Sequence, residues 1–183
     1  MIDLISSKVK RLIKKYDETD PFRLCERLGI LVLFEEFSPK LKGYFYQQSR
    51  IKVIVINSKL AEDLQRIICA HELGHAILHK DLAAKNTLND FALFDTVTKP
   101  EFEANLFAAE LLISDEAVIE RLNDDLSFFG VASALYVPAE LLDFKFRILK
   151  HKGYRLEAPL YARGDFLKQS GPLSTVYLTD SRL

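Results

Sequence analysis

The stretch from Cys69 to His79, CAHELGHAILH, holds three of the four histidines of a 183-residue chain, with Glu72 beside the first of them. On a helix, residues four apart stand one above the other, so the imidazoles of His71 and His75 leave the same face and can converge on one ion. The order His-Glu-x-x-His suits one chemistry in particular: two neutral imidazoles hold Zn²⁺, and Glu72, as catalytic base, takes a proton from the water that attacks a carbonyl. Gly74 stands in mid-helix at a cost of about 1 kcal/mol relative to Ala, which implies that another segment approaches the backbone closely at that turn. His79 continues the series, but eight residues of helix rise about 12 Å, too far for His71 and His79 to share one tetrahedral ion. A supporting or structural role is expected of it. Cys69 lies on roughly the opposite side of the helix and is not expected to ligate.

Two histidines leave a third ligand to be found, with a further position open for water. EFEANLFAAELL, from Glu101 to Leu112, is the best source. Glu103 stands among Phe102, Ala104, Leu106 and Phe107, and a carboxylate in such apolar surroundings is costly without a partner. Glu101 is about 200° round the helix from Glu103, so only one of them is expected to face the histidines. Thr98 and Glu101 have the spacing of a capping box, which accounts for Glu101 and leaves Glu103 as the expected third metal ligand. Glu110 is a weaker candidate for orienting a ligand histidine. Candidate oxyanion donors are Tyr44, Tyr46, Tyr154 and Tyr161.

These groups need elements to hold them. Leu4 to Tyr16 has an amphipathic helical pattern, and Asp20 before Pro21 opens a second helix that Gly29 ends. ILVLFEEF, LKGYFYQQ and IKVIVINS then change to β-branched and aromatic composition, giving three strands, the last two a hairpin around Ser49 and Arg50. IKVIVIN is apolar on both faces after Lys52, which favours an interior strand. Helical periodicity returns from Leu60 to about Lys80. Residues 81 to 99 form a longer connection that reads as a lid folded onto the body. Helices follow from Thr98, from Ser114, from about Leu126 to Tyr136, and from Ala139 to Lys152, closed by Gly153. The expected class is α+β, a small sheet on the helix carrying the histidines and then a mostly helical part, with one domain over residues 1–153 and an extension over 154–183.

Composition excludes several alternatives. The chain is 49% hydrophobic and 28% charged, which is ordinary for a globular protein. A net charge of −1 gives no global attraction to nucleic acid or anionic membrane. No apolar run approaches a membrane span or a secretory signal, so a cytoplasmic location is expected. Cys25 and Cys69 are too few for a disulfide framework and read as small hydrophobes. The basic stretches KVKRLIKKY and KFRILKHKGYR have apolar residues at helical spacing and read as solvated faces of packed helices.

Taken in order, GYF, HELGHAILH, EFEANLFAAELLI and GVASALYVPAELLDFKF resemble the ImmA/IrrE-type metallopeptidases of bacteria, their phages and mobile elements, over roughly residues 42–150. The His-Glu-x-x-His motif alone is shared by many zincins; its combination with Glu-Ala-Asn-x-Phe-Ala-Ala-Glu is far more specific. The resemblance implies a zincin-like fold, zinc on His71, His75 and Glu103, and Glu72 as base. It also implies cleavage or inactivation of a helix-turn-helix repressor, which another gene would supply. Members often carry Met-Pro where this chain has Ile113-Ser114, a change at the helix exit that leaves the ligands untouched. One rival is a metal-bearing interaction module that inactivates a partner without cutting it. Another is a DNA-binding regulator built on the helical pair around Ser127 to Arg155, but Leu141, Leu142, Phe144, Phe146, Ile148 and Leu149 leave that second helix little polar surface to read bases.

Overall fold

A computed structural model describes residues 1–38, 40–79, 88–90 and 98–156. Helix α1 (Ile2–Tyr16) buries Ile5, Ser6 and Val9 and leaves Lys10, Arg11, Lys14 and Lys15 in water, so its basic stretch is a solvated face. Helix α2 (Pro21–Arg27) starts where Asp20 accepts the Arg23 N–H at 3.0 Å and Pro21 fills the first turn. Gly29, at φ +66°, takes the left-handed turn that ends it.

The sheet comprises β1 (Ile30–Glu35), β2 (Gly43–Gln48), β3 (Ile51–Asn57) and β4 (Leu88–Asp90), in the spatial order β1-β3-β2-β4. β2 and β3 form the expected hairpin, with Gln48 opposite Ile51 and Ser49 at φ +57°. β3 therefore sits between β2 and a parallel β1, and Val53 through Ile56 are buried, as its two apolar faces require. β4 adds a fourth strand antiparallel to β2, inside the segment expected to be a lid. The rest of that segment, apart from its C-terminal residues Thr98 and Lys99, lies outside the described residues.

Asn57 ends β3 and pins the β1–β2 connection. Its Nδ2 donates to the Leu41 carbonyl at 2.9 Å and the Ser38 carbonyl at 3.3 Å, and its Oδ1 accepts the Lys59 N–H at 3.1 Å.

Helix α3 (Glu62–Leu78) lies on this sheet, with every residue from Ile67 to Ala76 buried. Gly43 permits the approach: a Cβ there would come within 2.6 Å of Ile68 Cγ2 and 2.9 Å of the Val55 carbonyl oxygen. Cys69 on α3 and Cys25 on α2 are fully buried with sulfurs 3.9 Å apart. Burial first, then the neighbouring Cys25, pushes the Cys69 thiol up, in keeping with a packing role. Helix α4 (Lys99–Leu112) follows, buried continuously from Ala104 to Leu111.

The chain divides into two compact units at Leu112–Ile113, a boundary inside the single domain expected over 1–153. The second unit carries α5 (Asp115–Asn123), capped by Ser114; α6 (Phe128–Ala134), capped by Ser127; and α7 (Ala139–His151), with Gly153 at φ +99° beyond it. Leu141, Leu142, Phe144, Phe146, Ile148 and Leu149 are all buried, and Phe146 meets Phe128 edge-on at 5.0 Å. That helix packs rather than presenting a base-reading face. Lys145, 1% exposed, reaches Asp115, which Lys152 also meets at 2.7 Å. Among the described residues no helix is long and apolar enough to cross a membrane.

Candidate metal centre

α3 delivers His71 and His75 to one face, both 1% exposed, with their Nε2 atoms 3.1 Å apart. α4 delivers Glu101: Oε2 is 3.1 Å from His71 Nε2, and Oε1 is 3.4 Å from His75 Nε2. One donor atom from each of the three falls within 4.8 Å of the others, the grouping among the described residues that can hold a metal. The two helices come this close because Gly74 has no side chain. A Cβ there would lie 3.2 Å from Phe107 and 3.3 Å from the Ala104 Cα, which is the close approach its place in mid-helix implied.

Glu103, the expected third ligand, does not join the two histidines. Its Oε2 lies 2.9 Å from Nε2 of His79, and its Oε1 lies 3.7 Å from Lys99. The premise that capping accounts for Glu101 is what fails. Thr98 Oγ1 accepts the backbone N–H of Glu101 at 3.4 Å, and the Glu101 carboxylate is turned to the imidazoles. Glu101 and Asn105 are four residues apart and share a face of α4, just as the histidine pair shares a face of α3. That matching spacing was the signal available in the sequence. Asn105, 1% exposed, was missed altogether, and its Oδ1 accepts from His71 Nδ1 at 2.9 Å. Glu110, the weaker candidate for orienting a ligand histidine, is buried further along α4, and His79 Nδ1 stands 3.1 Å from His75 Nδ1.

The proton positions that these contacts imply test whether the site suits a cation. A neutral His71 that donates from Nδ1 to Asn105 presents a lone pair at Nε2, and a neutral His75 that donates from Nδ1 does the same. Two lone pairs and a carboxylate then converge within hydrogen-bond distance, an arrangement that calls for a positive charge between them. Imidazole nitrogens with a carboxylate oxygen suit Zn²⁺ among divalent ions. Burial is the main force lowering His75 to about 4, against the opposing pull of Glu101, so the imidazole is neutral and ready to ligate at pH 7. Burial works to raise Glu101, but the facing His71 and His75 nitrogens lower it well below the usual carboxylate range when they carry a proton, the same demand for a positive partner that a cation between them would meet. Glu72 follows His71 on α3 and is fully buried. Tyr44 and Tyr46 lie on β2, Tyr154 follows α7, and Tyr161 lies outside the described residues.

A family model described as the IrrE N-terminal-like domain of Peptidase_M78 matches residues 25–147. The chain belongs to this ImmA/IrrE family of metallopeptidases. Its α+β architecture, a small sheet on the histidine helix followed by a mostly helical part, is the zincin-like fold of that family. The chain is 39% identical over 142 residues to "Uncharacterized immunity region protein 2" of Bacillus phage phi105, covering 78% of this chain and 89% of that protein. It is 28% identical over 143 residues to "Metallopeptidase ImmA" of Bacillus subtilis strain 168, covering 77% and 83%. The matched span takes in most of the first unit of the ImmA/IrrE chain and part of the second, and all of its metal-facing residues.

Proposed function

We propose that the protein is a zinc-dependent endopeptidase that cuts a separately encoded helix-turn-helix repressor and so relieves repression. The observation that carries this reading is the convergence of His71 Nε2, His75 Nε2 and the Glu101 carboxylate, with Glu72, buried, next to His71 in the chain. The two imidazoles and Glu101 would hold the ion, with Glu101 offsetting part of its charge. When bound, the ion supplies Lewis acidity, polarising a peptide carbonyl and making water acidic enough to lose a proton near pH 7. Glu72 accepts that proton at its carboxylate and returns it to the leaving amine nitrogen. Asn105 holds the His71 ring in the tautomer that keeps Nε2 as a donor to the ion. The names of the relatives, one a metallopeptidase and one a phage immunity-region protein, support proteolysis in the control of a mobile element. A cytoplasmic location fits a substrate that binds DNA.

The test is to co-express the protein with helix-turn-helix repressors encoded near its gene and to follow each repressor's length. Cleavage is expected with the native protein, and a loss of about 10²- to 10⁴-fold in rate with Glu72→Gln, which keeps zinc and fold. Equal processing by Glu72→Gln contradicts general-base catalysis. Inactivation of an uncut repressor by both proteins points to a metal-bearing interaction module instead.

A further inference from the structure

His79 and Glu103 are left over by the metal centre, and they are joined to it. From the ligand outward, His75 Nδ1 stands 3.1 Å from His79 Nδ1, and His79 Nε2 stands 2.9 Å from Glu103 Oε2. His75 and His79 are buried, and the Glu103 side chain is 18% exposed. His79 closes α3, its backbone N–H donating to the His75 carbonyl at 2.9 Å, so both rings are held by one turn of backbone.

The chemistry of the three groups gives this row a direction. An ionised carboxylate only accepts, so the proton between Glu103 and His79 belongs to His79 Nε2. A neutral His79 then has a lone pair at Nδ1, and the proton between the two imidazoles must sit on His75 Nδ1. That leaves Nε2 of His75 as a lone pair facing Glu101 and His71. The opposite arrangement sets a lone pair of His79 against the carboxylate at 2.9 Å, which is repulsive. Lys99 stands 3.7 Å from the other oxygen of Glu103.

We propose that Glu103 and His79 are positioning residues that lock His75 in its metal-binding tautomer and strengthen it as a ligand. The inference rests on the reading of His71, His75 and Glu101 as the metal ligands. Glu103, which the resemblance would place on the ion, acts on it two hydrogen bonds away. Substitution of groups that support a ligand histidine typically weakens metal affinity about 10- to 100-fold.

The experiment measures Zn²⁺ affinity of the full chain by competition with a chromophoric chelator, for the native protein, His79→Ala, Glu103→Gln, the double variant and Glu101→Ala. Imidazole ¹⁵N spectra of the metal-free and zinc-loaded protein are recorded alongside. Each single variant is expected to bind one zinc per chain about 10- to 100-fold more weakly. The double variant is expected to bind no more weakly than the worse single, because Glu103 acts only through His79. Native His79 is expected as the Nε2–H tautomer, and in Glu103→Gln, whose amide can donate as well as accept, as a mixture. The proposal is overturned if the two losses multiply, if Glu103→Gln binds zinc as tightly as the native protein, or if it loses stoichiometric zinc and so proves to be a ligand. If Glu101→Ala binds zinc unchanged, the ligand assignment fails instead, and the tautomer of His79 in the metal-free protein still decides the proton order.

Discussion

A single amide settles how His71 is used. Asn105 Oδ1 accepts from His71 Nδ1 at 2.9 Å, both residues being 1% exposed, so the ring has one acceptable orientation and one tautomer. Replacing Asn105 with Leu is expected to weaken zinc binding about 10- to 100-fold, while Asn105→Asp, which still accepts, should retain most of the affinity; chelator competition measures both. Acidification acts on His75. Unfolded, this residue takes up a proton near 6.5, but burial delays protonation to about 4 in the folded chain. The unfolded state therefore binds more protons between those values, and the metal-free protein is expected to lose stability as pH falls from about 6.5 to about 4, as urea midpoints across that range would show. That His71 and His75 share a face was legible from sequence, because four-residue spacing on one helix needs no knowledge of the partner. The choice between Glu101 and Glu103 was not, since it depends on how one helix is rotated against another, and α4 is apolar on nearly every side.

At the scale of elements, two glycines set the distances on which the site depends. Gly43 lets α3 settle on β2, and Gly74 lets α4 settle on α3. Gly43→Ala must displace Ile68 or the backbone carbonyl of Val55, and is expected to cost about 1–3 kcal/mol as measured by denaturant unfolding. Gly74→Val adds branched bulk where a Cβ alone already meets Phe107 at 3.2 Å, so it should push α4 outward and lower zinc affinity. Unchanged affinity in that variant would mean that Glu101 is not held by this packing. The helices, the hairpin and the interior place of β3 could be read from period and capping alone. β4 could not, because three residues, Leu-Asn-Asp, have neither alternation nor β propensity and become a strand only by pairing with β2.

For the molecule as a whole, the second unit brings its own buried charge. Lys145 is almost fully buried against Asp115, and although burial works to raise Asp115, hydrogen bonds from Lys145 and Lys152 hold its carboxyl below the ordinary value. A carboxyl depressed in this way contributes stability above its unfolded value near 3.8, lost as pH falls below it. Asp115→Ala removes that counter-charge and is expected to destabilise the chain by on the order of 3 kcal/mol, seen as a lower denaturation midpoint at neutral pH. KFRILKHKGYR read in sequence as a solvated face, and the buried Lys145 corrects that reading: its partner Asp115 lies on another helix, and no local pattern announces it. The family match spans residues of both units, so the account of the site belongs to a chain in which each is present.

The central claim is that two histidines of α3 and Glu101 of α4 hold one divalent ion. The most direct measurement is the zinc content of the full chain, purified without added metal, beside that of Glu101→Ala. About one zinc per native chain, falling to a small fraction in Glu101→Ala while its circular dichroism stays native, is the predicted result. A full complement of equally tightly bound zinc in Glu101→Ala would contradict it.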